Sequence, residues 1–363
     1  IDAGSGVAIV DAGVTLTQLE DAVSSFGLTV GIDLAARGTC TIGGMVATNA
    51  GGGEAFRNGM TRQRVLGLEV VLPDGTVMSD LKKVIKANEG YDLKQIFIGS
   101  EGTLGIITGV VLKLEKAIGN RKTVLASTKN ADDALCYFKR LHAMFGENLL
   151  SAEIMWKDYF VTICQELEFK GRFGNLQGET YFIADVAVPQ DDDRLLEVLG
   201  ESLEVGEISD AVIAKNEQER NDIWRVREES FLIDKAYPGG CWFDISIPLI
   251  ELDSFVKEST SRVRAIDPAL KVFVMGHLGD GNLHYTIAKD EPVDHLYSDI
   301  ATALYTGLSA IGGSFSAEHG IGTEKRSSMS KFVDPTKLSL MHAIKATIDP
   351  MNIMNPGKVL PPK

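Results

Sequence analysis

The order of apolar and polar residues predicts short strands and glycine-rich loops in the first third of the chain. The segment LGLEVVLPDGTVM predicts a β-hairpin, because two apolar runs flank a Pro73-Asp74-Gly75 turn. Further on, IITGVVLKL is typical of a strand, since β-branched residues dominate it. Residues 1–115 are therefore predicted to form an α+β unit.

One early helix is predicted in the same part of the chain. Thr17 is placed to cap its N-terminus, Glu20 completes a capping box and Gly27 ends the helix. The residues expected on its apolar face are Leu19, Val23 and Phe26.

From about Lys116 onward, amphipathic helices alternate with apolar strands. The pattern predicts helices over 131–145 and 189–204, and strands over 180–188, 208–215, 241–247 and 271–289. Elements in this order favour a second α+β domain with an antiparallel sheet. Near the end of the chain, Asp334 is predicted to cap a helix with Pro335 at its first position.

Length, composition and charge limit the classes of protein to which this chain can belong. The 363 residues are enough for two or three domains, and 44% hydrophobic with 24% charged residues is ordinary for a globular chain. No apolar stretch reaches the ~18 residues of a membrane-spanning helix. A net charge of −14 argues against nucleic acid or an anionic membrane as the main partner. The cysteines form no CxxC pair, which gives zinc ribbons, iron–sulfur ligation and thioredoxin chemistry no support, and four cysteines in a chain of this length are typical of a reducing compartment: Cys40, Cys136, Cys164 and Cys241.

The segment GHLGDGNLHYT, residues 276–286, carries the sharpest chemical signal. Asp280-Gly281 favours a two-residue hairpin turn, and this turn would place His277 directly opposite His284 on one face of the ribbon. Their Cβ atoms would then lie ~5 Å apart. Two imidazoles so arranged can share one metal ion, although two polar strand residues without a ligand would show the same pattern.

A third metal ligand is available in SAEHGIGTEKR. Glu318 could supply a carboxylate, and the adjacent His319 would be left to move protons near neutral pH. The alternative is a glycine-flanked loop with a surface carboxylate.

In NDIWRVREESF, Arg225 and Arg227 could hold a substrate carboxylate, or they could pair with glutamates on the helix surface.

The glycine-rich segments TIGGMVATNAGGG and GSEGTLG match neither the Rossmann fingerprint nor the P-loop. Glycines in such clusters either let the backbone approach a flat or phosphorylated ligand or form tight turns between strands. Both interpretations stay open on the residues alone.

Five segments in sequence order resemble one family. CTIGGMVATNAGG, DLKQIFIGSEGTLGIIT, GHLGDGNLH, SAEHGIGTEKR and NPGK are similar to the FAD-linked 2-hydroxyacid dehydrogenases of the vanillyl-alcohol-oxidase flavoprotein superfamily. The resemblance implies an FAD-binding domain of that type, a substrate or cap domain, and a C-terminal helix and tail that return to the flavin. The domains expected on this basis are 1–116, 117–333 and 334–363.

The resemblance also implies roles for individual residues. His277, His284 and Glu318 would bind a divalent metal, with zinc as the expected ion, and His319 would take the hydroxyl proton. Arg227 would hold the substrate carboxylate while the C2 hydride passes to the flavin N5. The residues implied around FAD are Thr41, Gly43, Gly44, Ala47, Thr48, Asn49, Gly52, Glu101, Gly102, Gly105, Ile107 and Asn355.

The implied substrate is a D-2-hydroxyacid similar to lactate, glycolate or 2-hydroxyglutarate. Phe231, Trp242 and Thr286 stand where 2-hydroxyglutarate dehydrogenases are expected to carry polar partners for a distal carboxylate, which favours a smaller or more apolar acid. The electron acceptor is unidentified, and a homodimer is an open expectation. The expected location is the cytoplasm, or the mitochondrial matrix in a eukaryote.

The start of the chain gives a further expectation. Family members begin with a strand–helix block whose glycine-rich turn grips the FAD diphosphate, and the present sequence enters after that block. The first domain is thus expected to be the C-terminal half of an FAD-binding domain, with weak or absent FAD binding. Two competing hypotheses remain: a flavin-independent metal hydrolase and a non-catalytic truncated subunit.

Overall fold

The computed structural model describes residues 1–169, 171–173, 176–189 and 191–362. The chain divides into two compact units. Residues Ile1–Ala117 and the segment from Glu318 onward form the first unit, and residues Ile118–Ala317 form the second.

The first unit begins with short strands and helices around a four-stranded antiparallel sheet of order β1-β5-β3-β4. A second, two-stranded sheet pairs β2 with β6. The strands are β1 (Val7–Asp11), β2 (Leu28–Thr29), β3 (Val65–Val71), β4 (Val77–Asp80), β5 (Ile106–Lys113) and β6 (Glu115–Lys116). The helices are α1 (Leu16–Ser24), α2 (Ile42–Thr48), α3 (Ala55–Asn58), α4 (Thr61–Arg64) and α5 (Lys94–Phe97).

The predicted hairpin and the strand after Gly105 are confirmed as β3–β4 and β5. The early helix begins two residues before its predicted start. Thr15, not Thr17, caps α1, and Gln18 completes the capping box. Glu20 instead accepts hydrogen bonds from Thr29 Oγ1 and Val30 N. Because the helix ends at Ser24, Phe26 lies outside it and is 54% exposed.

The second unit contains a seven-stranded antiparallel sheet of order β10-β7-β9-β8-β12-β13-β11. Its strands are β7 (Lys122–Thr128), β8 (Leu149–Trp156), β9 (Thr180–Val186), β10 (Asp210–Ile213), β11 (Cys241–Ser246), β12 (Lys271–His277) and β13 (Asn282–Ala288). Its helices are α6 (Ala131–Phe145), α7 (Lys157–Glu166), α8 (Arg194–Val205), α9 (Glu217–Glu228), α10 (Leu232–Ala236), α11 (Leu252–Ile266) and α12 (Tyr297–Tyr305). The prediction of an α+β chain with antiparallel sheets is confirmed.

One face of this sheet is covered by α7, α9 and α10. Tyr159 and Ile163 of α7 and Val226 of α9 pack in one apolar core with Met155 of β8 and Met275 of β12. The helix predicted over 189–204 begins later, at Arg194, where Asp192 Oδ1 accepts the backbone N–H of Arg194. Gln190, within that prediction, lies outside the described residues.

The chain closes in the first unit with two helices, α13 (Arg326–Phe332) and α14 (Pro335–Ile348). As predicted, Asp334 caps α14, its side chain accepting from Lys337 N, and Pro335 opens the helix. Within the described part of the chain, every helix is too short or too polar to cross a membrane.

Candidate active site

A polar row crosses the second unit's sheet on the face covered by α7, α9 and α10. It comprises Glu153 of β8, His277 of β12, His284 of β13 and Asp244 of β11, one residue from each of four neighbouring strands. Glu153 pairs directly with His277, and Asp244 pairs directly with His284. All four side chains therefore leave the same face of the sheet.

The two histidines lie on the same face of the hairpin, but the strands do not pair in the predicted register. Asn282 is the residue opposite His277, and Met275 is opposite His284. The turn spans four residues, because Gly281 N donates to His277 O at 3.0 Å and Leu278 N still donates to Ala152 O of β8. The register is offset by two residues, which preserves the face of every side chain.

As a result, His277 and His284 are diagonal neighbours. Their ring centroids lie 5.5 Å apart, with the ring planes at 87°. The side chains are only 10% and 12% exposed, respectively. The prediction that both imidazoles lie on one face is thus confirmed, although the two strands pair in a different register.

Glu153 is almost completely buried and contacts two partners within the second unit. Its carboxylate lies 2.8 Å from His277 Nδ1 and accepts from Arg227 Nε at 2.7 Å. Burial raises the pKa of Glu153, but the attraction of His277 and Arg227 outweighs burial and lowers the pKa below its ordinary value. The carboxylate is therefore ionised at neutral pH.

Sequence reasoning missed Glu153. The signal was a single carboxylate within the apolar run LLSAEIMW, since an acidic residue is rarely buried in a strand without a partner. Asp244, within CWFDISI, was missed for the same reason. It is fully buried, and its two oxygens accept from Asn282 Nδ2 at 2.9 Å and from Ala317 N at 3.0 Å.

Asn282 lies between the two carboxylate–histidine pairs. Its Nδ2 donates to Asp244 Oδ1 and to Ile245 O, and because both partners are acceptors the orientation of the amide is determined. Asn282 Oδ1 is buried and has no hydrogen-bond partner among the described residues. Such an acceptor beside two imidazoles fits a site that receives a cation or a hydroxyl group.

The two arginines of α9 differ in environment. Arg225 forms the surface pair that was the alternative interpretation, with Nε 2.5 Å from Glu229 Oε1. Arg227 is only 8% exposed and points into the polar row, with Nη2 3.5 Å from His277 Nδ1. Arg227 is therefore a buried arginine paired with Glu153 rather than a residue of the helix surface.

The predicted specificity residues also lie in the second unit. Trp242 and Thr286 are direct cross-strand partners, and Trp242 Nε1 donates to Asp234 Oδ1 at 2.9 Å. Burial raises the pKa of Asp234, although the hydrogen bond from Trp242 opposes that shift. Phe231, at the start of α10, is 60% exposed.

The first unit brings the two glycine-rich segments together. Gly99 N donates to Val46 O, and Glu101 N donates to Ala47 O at 2.8 Å. Thr41 caps α2 through a hydrogen bond from Gly44 N, and Asn49 ends α2 in the left-handed conformation. The residues predicted around FAD thus lie in adjacent segments of one unit.

Three of the glycines predicted around FAD have internal packing roles. A Cβ at Gly52 would lie 2.0 Å from Asp33 O, and Gly52 has a φ of +105°. A Cβ at Gly43 would lie 2.6 Å from the Cβ of Ala12. Close packing of the unit on itself therefore requires glycine at both positions, in agreement with the tight-turn interpretation. Gly105 is similar, with Val70 Cγ1 2.7 Å from the position of a Cβ.

Other predicted cofactor residues leave room for a ligand. Gly44 and Thr48 are exposed and Ala47 is half-buried, and these three small residues share one face of α2. Gly102 lies beside Asn355, whose Nδ2 donates to Glu101 O at 2.6 Å. Ile107 lies in β5 and packs partly against the core of the unit.

Glu318 and His319 are the first residues of the segment that returns to the first unit. Glu318 Oε1 accepts from Gly52 N at 2.5 Å, and His319 is exposed. Glu101 accepts from the backbone N–H groups of Ile321 and Gly322, at 2.7 and 2.8 Å. The metal set of His277, His284 and Glu318 stays a prediction.

Comparison with known proteins identifies the family. Residues 119–359 match the model for the C-terminal domain of FAD linked oxidases, and residues 1–81 match the model for an FAD binding domain. The chain belongs to the FAD-linked oxidase family. The resemblance inferred from the five sequence segments is thereby confirmed.

Curated relatives of this family member are named as D-2-hydroxyglutarate dehydrogenases. The mitochondrial protein of Bos taurus is 35% identical over 98% of this chain and 65% of its own length. The protein of Stutzerimonas stutzeri is 31% identical over 97% of this chain and 76% of its own length. The chain thus spans about two thirds of the length of the bovine relative.

Solved structures show the same fold at low identity. The FAD-linked oxidase chain matches p-cresol methylhydroxylase with a TM-score of 0.73 at 17% identity, covering 99% of this chain and 76% of that one. It matches alkyldihydroxyacetonephosphate synthase with a TM-score of 0.69, also at 17% identity, covering 99% and 66%. These likenesses support the fold alone.

Proposed function

We propose that this protein is an FAD-dependent dehydrogenase that oxidises a D-2-hydroxyacid to the 2-oxoacid. The observation that carries the proposal is the His277–His284 pair, set on one sheet face between two buried carboxylates in an FAD-linked oxidase chain. The names of the curated relatives support the same class of substrate.

We propose His277, His284 and Glu318 as ligands of a divalent metal ion, with zinc as the expected ion. The paired imidazoles fit a cation in the second unit, as does Asn282 Oδ1, which accepts from none of the described residues. Glu318 enters from its sequence motif. A bound divalent ion would supply Lewis-acid polarisation of the substrate hydroxyl group.

Two side chains are proposed to act on the substrate directly. Arg227 would hold the substrate carboxylate, since a guanidinium can donate two parallel hydrogen bonds and this one is nearly buried beside His277. His319 would accept the hydroxyl proton, and its exposure leaves the ring accessible to a small molecule.

FAD is proposed to bind the first unit along α2 and the adjacent segment 99–105. The small, accessible face of Gly44, Ala47 and Thr48 would admit a flat ring without steric conflict. FAD would supply the hydride acceptor that the protein's own side chains lack. Gly43, Gly52 and Gly105 would contribute by keeping these segments closely packed rather than by touching the cofactor.

The proposed substrate is a small D-2-hydroxyacid. The relatives' names favour D-2-hydroxyglutarate, whereas Phe231, Trp242 and Thr286 favour an acid with a shorter or more apolar side chain. The electron acceptor is left open. Several relatives are named as mitochondrial, and the compartment of this protein stays a prediction.

Turnover with an artificial dye acceptor tests the proposal. The full-length gene product should reduce the dye with at least one of D-lactate, glycolate and D-2-hydroxyglutarate, and much less with the L-enantiomers of the chiral acids. His319→Gln should lower kcat by about 10²- to 10⁴-fold, the usual contribution of a general base.

His295→Gln serves as the matched control, because His295 is also exposed but belongs to a short helix of the second unit outside the polar row. It should leave kcat unchanged. Equal kcat values for wild type and His319→Gln would remove His319 from the mechanism. No dye reduction with any 2-hydroxyacid would overturn the proposed activity.

A further inference from the structure

The pairing of β8 with β12 places the carboxylate of Glu153 directly beside His277. Glu153 is the direct neighbour of His277 across β8 and β12, and the next pairs along the two strands, Gly276 with Ile154 and Met275 with Met155, are apolar. The Glu153–His277 pair therefore sits at the end of β12, where the chain turns toward His284. Its position is fixed by strand pairing rather than by a flexible loop.

The hydrogen-bond atoms fix which nitrogen of His277 is protonated. Both oxygens of Glu153 lie 2.8 Å from Nδ1, and Oε2 also accepts from Arg227 Nε, so the carboxylate faces the ring as an acceptor. The neutral ring must then carry its hydrogen on Nδ1, which leaves the lone pair on Nε2. Nε2 is the atom that this ring can offer to a metal ion.

The same carboxylate holds Arg227. Arg227 Nε donates to Glu153 Oε2, and the side chains of Arg227 and Glu153 are 10% and 1% exposed. One oxygen thus faces both the imidazole and the guanidinium. Moving or removing the carboxylate would disturb a proposed metal ligand and a proposed substrate-binding residue together.

Given the ligand role proposed above for His277, we propose that Glu153 is the positioning residue of the site. It orients the His277 ring, selects its Nδ1–H tautomer and holds the Arg227 guanidinium beside it. Outer carboxylates of this kind typically strengthen metal binding by about 10- to 100-fold.

Zinc affinity of the metal-free full-length protein tests this role. Affinity is measured by competition with a coloured chelator, so the readout is independent of activity. Glu153→Gln should weaken zinc binding about 10- to 100-fold. Glu153→Asp retains the charge but shortens the side chain, and its zinc affinity should fall between those of wild type and Glu153→Gln.

Asp185→Asn is the matched control. Asp185 lies in β9 of the same sheet, is 2% exposed and pairs with Arg220 at 3.0 Å, so its loss also breaks a buried ion pair. It should leave zinc affinity within about twofold of wild type, since its cost is to stability and not to His277. Equal zinc affinity in folded Glu153→Gln and wild type would overturn the proposal.

A measurement on the unmodified protein covers the case in which Glu153→Gln fails to fold. Nitrogen-15 NMR of the metal-free protein, with His277 assigned from His277→Asn, should show the hydrogen on Nδ1. A hydrogen on Nε2 would refute the positioning role. Because neither readout requires turnover, the role of Glu153 and the proposed dehydrogenase activity can fail separately.

Discussion

At the scale of single residues, burial determines whether an arginine forms a surface ion pair or a buried one. Arg225 and Arg227 stand two positions apart on α9, and the sequence offers the same two interpretations for both. The structure separates them, because Arg225 remains at the surface with Glu229 while Arg227 is enclosed with Glu153. Only knowledge of β8 could have made that distinction.

This difference predicts that alanine lowers the free energy of unfolding more at Arg227 than at Arg225. Arg227→Ala leaves the buried Glu153 carboxylate with His277 as its one partner among the described residues, and breaking a buried ion pair typically costs about 3–5 kcal/mol of unfolding free energy. Arg225→Ala removes an exposed pair and should cost less than about 1 kcal/mol.

Urea unfolding followed by tryptophan fluorescence measures both variants. Trp156, Trp224 and Trp242 all belong to the second unit, so the fluorescence signal reports on the unit that contains both arginines. Similar unfolding midpoints for the two variants would show that the Arg227–Glu153 pair contributes no more than a surface pair.

At the scale of elements, the β12–β13 hairpin shows what spacing can and cannot determine. The sequence predicts both strands and puts the two histidines on one face, as the structure does. The predicted register is wrong because Asp280-Gly281 forms only half of a four-residue turn. Asp280 Oδ1 accepts from Asn282 N, and Gly281 N bonds to His277 O.

Gly281 is the position where this turn tolerates no side chain. Its φ is +75°, and a Cβ would lie 2.1 Å from Ile247 O. Gly281→Ala should destabilise the second unit by at least about 1–2 kcal/mol for the backbone conformation alone, with a further cost from the contact. It should also weaken zinc binding, since the turn sets the spacing of His277 and His284.

Gly200→Ala provides the control within the same unit. Gly200 lies inside α8, and a Cβ added there would meet no heavy atom of the described residues within 4 Å. Alanine favours helix at such a position by about 0.5–1 kcal/mol. The urea midpoint of Gly200→Ala should equal or exceed that of wild type, with unchanged zinc affinity. A Gly281→Ala protein as stable as wild type would contradict the turn's role.

At the scale of the whole molecule, local periodicity predicts the class of fold but not the assignment of segments to units. Helices such as α6 and α14 are predictable because their caps and apolar spacing are local. The return of the chain to the first unit at Glu318 has no such local signal. The carboxylates of the polar row were missed because partners that are distant in sequence explain their burial.

The residues proposed to carry out the reaction are distributed over both units. The residues proposed around FAD lie in the first unit, and the paired histidines with Glu153 and Arg227 lie in the second. Oxidation of a 2-hydroxyacid requires both sets, so the proposed activity is a property of the whole chain rather than of either unit.

Anaerobic reduction of bound flavin tests this account most directly. The full-length gene product, purified with FAD, is mixed without oxygen with D- or L-lactate, glycolate, or D- or L-2-hydroxyglutarate. We predict that at least one D-2-hydroxyacid or glycolate bleaches the visible absorption of the flavin and yields one equivalent of 2-oxoacid, whereas the L-enantiomers do not. A flavin that stays oxidised with every acid, or a protein that holds no FAD, would contradict the account.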